Sequence, residues 1–166
     1  MEDRHQCPPA ELEQIMEMYG KTVYRLAYSQ TRSKTDAEDV FQDVFLQYFR
    51  KRPEFDSEEH RKAWLLRVTL NQSKSLFRSA WFRHTVPLED QMVFDEPEER
   101  ELDEALAQMK SGERKLLHLF YYEGLSVREI GQLLNRKEST VRTQLTRARR
   151  HLAEIMKGEA YVSEGI

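Results

Sequence analysis

One cysteine, Cys7, stands in 166 residues. A lone thiol closes no internal disulfide and offers no thiol cluster to a metal, so a disulfide scaffold is excluded. No apolar run approaches the ~18 residues of a membrane span, and the opening Met1-Glu2-Asp3-Arg4-His5-Gln6-Cys7 lacks a signal peptide's hydrophobic stretch. A cytoplasmic protein without membrane insertion is expected. Glycine is missing between Gly20 and Gly112, and proline after Pro97. With those breaks scarce, no Asn-Gly or Asp-Gly hairpin pair and no strand-like alternation, the chain reads as all-α. Nucleotide-binding glycine loops, HExxH and CxxC are also absent, and His5, His60, His84, His118 and His151 are scattered singly. Neither catalysis by this chain alone nor a cofactor or metal site is expected.

Charge is plentiful but segregated. Six basic residues and no acid lie between His60 and His84, a net of +6. From Thr85 to Glu104 nine acids face Arg100 alone, a net of −8. From Ser126 to His151 seven basic residues face Glu129 and Glu138, a net of +5. Blocks of one sign repel themselves, so they serve a partner or remain solvated helix faces. Two basic blocks around an acidic one suggest two contacts with a polyanion, joined by a segment that avoids it.

Apolar periodicity sets out the helices. Leu12, Ile15, Met16, Tyr19, Val23, Leu26 and Ala27 share one face. Thr35-Asp36-Ala37-Glu38 has the spacing of a capping box. It predicts a helix with Val40, Phe41, Val44, Phe45, Tyr48 and Phe49 buried, and Asp36, Asp39, Gln42 and Asp43 opposite. Pro53 ends that element, and Ser57 can cap a basic helix running to about Phe82. Two prolines and many acids make the next stretch a linker. Helical spacing returns with Leu102, Leu106 and Met109, then from about Ser111 to Gly124. Ser126-Val127-Arg128-Glu129 is a second capping box. We therefore expect a flexible start over residues 1–10, a helical domain over 11–83, an acidic linker over 84–101, a second helical domain over 102–158 and a flexible tail over 159–166.

The stretch from Leu125 to Leu152 has the layout of a helix-turn-helix. Gly131 allows a close backbone approach, Asn135 tolerates the left-handed conformation of a sharp turn, and Val141 anchors the second helix. Ser139, Thr140, Arg142, Thr143, Thr146 and Arg147 give that helix a polar and basic surface for base edges and phosphates, with Arg149 and Arg150 beyond. An ordinary helix pair with a basic outer face is the alternative. In the helix from Ser57 to Phe82, cations stand beside Trp64, Phe77, Trp81 and Phe82, a mixture suited to single-stranded nucleic acid if the rings are exposed. Apolar residues at helical spacing are usually core, so Trp64 and Phe77 are expected mainly to pack, and Asn71, one turn beyond Arg67, is the better base-reading candidate.

Three motifs occur in one order: Thr35-Asp36-Ala37-Glu38-Asp39-Val40-Phe41-Gln42-Asp43-Val44-Phe45, then Ala63-Trp64-Leu65-Leu66-Arg67-Val68 with Asn71, then Leu125-Ser126-Val127-Arg128-Glu129-Ile130 and Thr140-Val141-Arg142-Thr143-Gln144-Leu145-Thr146-Arg147-Ala148-Arg149. From about Leu12 to Met156 the chain resembles the extracytoplasmic-function (ECF) sigma factors of bacterial RNA polymerase. The resemblance implies that Asp36, Glu38, Asp39, Gln42 and Asp43 bind core polymerase at the clamp helices of its largest subunit, with a further contact at the flap. It implies a minus-ten promoter contact by Phe55, Ser57, Trp64, Arg67, Asn71, Lys74 and Arg78. Ser139, Thr140, Arg142, Thr143, Thr146, Arg147 and Arg149 would bind the minus-thirty-five element as duplex DNA. The acidic linker would thread toward the RNA exit path. An anti-sigma factor, membrane-bound in many cases, is the implied regulator. Ser75 stands where the family often carries an acid one turn beyond the asparagine. A helix-turn-helix regulator with a helical dimerisation domain is the other reading, but it needs neither the acidic helix nor the basic aromatic one.

Overall fold

Pro9 starts the first helix, where its missing N–H costs nothing because no intrahelical partner exists for it. The computed structural model describes residues 8–80 and 96–164, and the chain divides into two compact units, Met1–Gln91 and Met92–Ile166. Arg78 and Phe77 have no described side chains. Trp81, Phe82 and the greater part of the expected linker lie outside the described residues.

In the first unit α1 (Pro9–Thr31), α2 (Lys34–Lys51) and α3 (Glu58–Ala80) pack against one another. Ile15, Val23, Leu26 and Ala27 of α1 meet Ala37, Val40, Val44, Phe45 and Tyr48 of α2 and Leu65, Leu66 and Leu70 of α3 in one apolar core. Phe41 and Phe49, expected to be buried, are half-exposed. Gly20 faces the Phe41 ring, and a Cβ there would sit 3.5 Å from it. Two buried hydroxyls are satisfied within α3: Thr69 donates to the Leu65 carbonyl at 2.6 Å and Ser73 to that of Thr69 at 2.7 Å.

The cap of α2 corrects the sequence reading. Arg32 takes a left-handed conformation (φ 56°), and its N–H donates to Tyr28, ending α1. Ser33 is extended and buried, and its hydroxyl accepts from the Asp36 N–H at 3.2 Å, so Ser33 is the cap. Thr35 lies inside the first turn, exposed. The Ser-x-x-Asp spacing carries the same chemistry two residues earlier, because the left-handed residue fixes where the new helix begins. Ser57 behaves as expected, accepting from the His60 N–H at 3.1 Å at the start of α3.

The second unit holds α4 (Pro97–Ala107), α5 (Ser111–Leu117) with a π-helical turn (His118–Tyr122), α6 (Val127–Leu134) and α7 (Glu138–Glu164). Helix α4 begins at Pro97, inside the segment read as linker. Glu98 and Glu99 in its first turn complement the helix dipole, so acidity there favours the helix. The buried Arg114 guanidinium donates to the Met109 carbonyl and ties α5 to the end of α4. Gly124 is left-handed (φ 65°), and Leu125 N–H donates to Leu119 at 3.1 Å, closing the π-helical turn. Leu116, Leu117, Leu119, Ile130, Leu133, Val141, Leu145 and Ala148 form the core.

Candidate functional site

The acidic face of α2 is built by subtraction. Ala37, Val40, Val44, Phe45 and Tyr48 turn one side of the helix inward. Glu38, Asp39, Gln42 and Asp43 are thereby left exposed on the other, with Asp36 half-buried beside the cap. Sequence reasoning missed Leu46, which is 43% exposed one turn beyond Gln42 and Asp43. Arg50 and Lys51 follow in the last turn. This face therefore runs from acids through one apolar side chain to cations.

The loop between α2 and α3 is fixed by rings. Phe55 stacks on Tyr48 at 6.3 Å between centroids and meets Trp64 edge-on at 6.0 Å and His60 at 5.5 Å. Tyr48 also meets Trp64 at 5.8 Å, and the Arg61 guanidinium lies 5.4 Å over Phe55. Trp64 is thus chiefly a packing residue that holds Phe55 in place. Arg61 also pairs with Glu58, which accepts from the Tyr19 hydroxyl of α1 at 2.6 Å. Burial, then this bond to a carboxylate, pushes the Tyr19 phenol from 10.0 up to about 12, and the same bond with Arg61 lowers Glu58. Beyond the loop, Arg67, Asn71 and Lys74 are exposed along α3 at helical spacing. Of the expected minus-ten set only the Arg78 side chain lies outside the described residues.

In the second unit the turn makes the site. Ser126 caps α6 by accepting from Glu129 N–H at 3.1 Å. Asn135 is left-handed (φ 55°) and returns its neighbour's chain so closely that a Cβ on Gly131 would lie 2.8 Å from the Arg136 carbonyl oxygen. Gly131 is therefore required by the turn's own backbone, which comes closer to it than the start of α7 at Glu138 N, 3.8 Å from the same Cβ. The Arg136 guanidinium donates to Gln144 at 2.8 Å, bracing the turn against α7. Val141, Leu145 and Ala148 anchor α7 inward.

Outward along α7 lie Ser139, Thr140, Arg142, Thr143, Thr146, Arg147 and Arg150, all exposed. Thr143 donates to the Ser139 carbonyl at 3.0 Å and Thr146 to that of Arg142 at 2.9 Å. Their hydroxyl protons are thus committed, leaving oxygen lone pairs and methyl groups for a partner. Such groups accept from amino groups of bases and contact thymine methyls. Arg149 differs from the rest: its guanidinium lies 4.7 Å over Phe120 and 5.4 Å over Tyr121. Glu138 pairs with Arg142 at 3.1 Å. That pair is legible as i, i+4 spacing, whereas Arg136 to Gln144, eight residues apart across a turn, is not.

The first unit is thus three packed helices with an acidic face, and the second holds a helix-turn-helix with a basic one. The sequence matches the family profiles described as Sigma-70 region 2 over residues 15–83 and Sigma-70, region 4 over residues 99–152. It is 34% identical over 128 residues to the ECF RNA polymerase sigma factor SigF of Caulobacter vibrioides, covering 74% of this chain and 72% of that one. With the ECF RNA polymerase sigma factor SigM of Mycobacterium tuberculosis it shares 27% over 159 residues, covering 93% and 80%. The fold is also that of the sigma factor RpoE solved with the anti-sigma factor NepR from Bartonella quintana (TM-score 0.72, 21% identity, 89% and 97% covered). CnrH, solved with the cytosolic domain of CnrY, gives a TM-score of 0.68 at 24% identity over 91% and 90% of the two chains. The chain belongs to the ECF family of RNA polymerase sigma factors. Among the described residues no cluster of metal-ligating side chains occurs, and no helix is long and apolar enough to cross a membrane.

Proposed function

We propose that this sigma factor docks on core RNA polymerase through α2, opens the minus-ten promoter element with α3 and its preceding loop, and reads the minus-thirty-five element with α7. The observation that carries this reading is the presence of two outward faces of opposite sign: Glu38, Asp39, Gln42 and Asp43 on α2, and Arg142, Thr143, Thr146, Arg147 and Arg150 on α7. An acidic face repels phosphates and suits a basic protein surface, while a basic face with hydroxyls suits duplex DNA. Asn71, exposed between Arg67 and Lys74, offers an amide to an unpaired base beside two cations for the strand's phosphates.

An anti-sigma factor, in its membrane-bound form or free, fits as regulator by covering these faces. Two proteins of this fold have been solved with such a partner or with a partner's cytosolic domain, which supports this part of the reading. A cytoplasmic site of action follows from the same assignment.

The test is reconstitution of the full chain with purified core polymerase on promoter DNA. Sequence-dependent initiation that requires the chain is the expected result, and a chain that binds duplex DNA without core polymerase association would return the reading to an ordinary regulator. Asn71→Ala should impair opening of duplex promoter. Rescue by a pre-melted bubble assigns Asn71 to melting, and failure of rescue assigns it to reading the unpaired base.

A further inference from the structure

The first turn of the DNA-facing helix α7 carries an acid where the surface is otherwise basic. Glu138 Oε1 lies 3.1 Å from Arg142 Nη2, with the arginine side chain 64% and the glutamate 53% exposed. An acid in the first turn of α7 complements the helix dipole, as in α4, but that modest gain needs no partner, and an exposed i, i+4 pair adds little more, so stability does not account for the pairing with Arg142. A carboxylate facing DNA is unfavourable by itself, because it repels every phosphate regardless of sequence. Among the described residues neither Arg147 nor Arg150 has a carboxylate partner on this face, so the pairing singles out Arg142.

We propose that Glu138 is a specificity-determining residue that positions Arg142 on a guanine and withholds it from phosphates. The inference rests on the reading of α7 as the duplex-binding helix. The guanidinium carries five N–H donors in a rigid plane. Glu138 engages one terminal nitrogen, which leaves the remaining edge for the paired acceptors O6 and N7 of guanine, a contact that needs a fixed plane. A free arginine on a long stem swings to the nearest phosphate, which carries no sequence information. As α7 enters the groove and water leaves, the pair strengthens at the moment when orientation matters. Glu138 thus weakens binding to all DNA while sharpening it for one base pair.

The experiment uses holoenzyme assembled from purified core polymerase and the full chain, with a pool of DNA duplexes randomised across the upstream block. Glu138→Gln keeps the side chain's shape and removes its charge. It should cut the preference for one G·C pair by about tenfold. It should also tighten binding to unrelated duplex and steepen the salt dependence by about one phosphate contact. Arg142→Ala should lose preference at that same pair, and the double variant should be no less selective than Arg142→Ala alone. Tighter binding with selectivity intact would make Glu138 a repulsive charge only and overturn the proposal. Loss of preference at a different pair would make it a base reader in its own right, which also overturns it. If Arg142→Ala weakens all duplexes equally, the assignment of Arg142 to base reading has failed instead, and that result is visible without the Glu138 variant.

Discussion

The two units position their exposed side chains by different means. In the first, helices of 23, 18 and 23 residues pack around one core, and a residue's face follows from its spacing. In the second, α6 has eight residues, and α7 is aimed by a turn of three residues between them. There the backbone sets direction: a left-handed Asn135, a Gly131 without room for one carbon, and an Arg136 side chain braced on Gln144. Surface changes in the first unit should therefore alter binding and spare the fold. Backbone changes at the turn in the second should alter both together.

The largest effect is expected on docking. Asp39→Lys with Asp43→Lys places two cations where basic polymerase side chains are expected, and like charges brought together cost several kcal/mol. Both residues lie off the buried stripe of α2, so the circular dichroism spectrum and melting temperature should hardly change. Unchanged affinity for core polymerase would remove α2 from the interface and with it the contrast drawn above.

Next in size is Gly131→Ala. The new Cβ would stand 2.8 Å from a backbone oxygen, and that oxygen belongs to the turn, so relief requires the turn to open. Overpacking of this kind costs roughly 1–3 kcal/mol. Chemical denaturation should show that loss together with weakened duplex binding, while core polymerase binding stays. Asn135→Val, a β-branched residue forced to φ 55°, should cost about 1–2 kcal/mol, and Asn135→Gly should be tolerated. Equal stability of the valine and glycine variants would show that the turn does not hold α7 by its backbone.

The same division explains what the sequence disclosed. Periodicity places Val40, Val44, Phe45 and Tyr48 inward and Glu38, Asp39, Gln42 and Asp43 outward, because a long helix has one phase. Ser126, Gly131, Asn135 and Val141 were legible since each has a local reason for its identity. The cap at Ser33 was not, because two capping patterns overlap and the left-handed Arg32 decides between them. Pro97 sits among the prolines and acids that mark a linker, although at a first turn proline starts helices. Phe55, Trp64 and Tyr48 form one cluster only after α2 and α3 pack, and the seating of Arg149 on Phe120 and Tyr121 likewise joins elements distant in sequence.

The smallest expected effect concerns the contact by which α1 steadies the loop carrying Phe55. Tyr19 donates to Glu58, Glu58 pairs with Arg61, and Arg61 lies over Phe55. Tyr19→Phe removes the first link and should lower the melting temperature only slightly, since the acid it meets is on the surface. Its sharper signature is in pH. Folding favours the neutral phenol, whose pKa rises from 10.0 to about 12, so with Glu58 ionised its contribution is complete between neutral pH and pH 10 and fades as pH climbs toward 12. Wild-type and Tyr19→Phe proteins should therefore differ in stability by a constant amount from neutral pH up to pH 10, and converge above it and again in acid as Glu58 protonates. The ultraviolet titration of the wild type should contain one late-ionising tyrosine that the variant lacks. A difference that persists unchanged to pH 12 would mean that Tyr19 acts through its ring, and that the loop is held by aromatic packing without the charged chain.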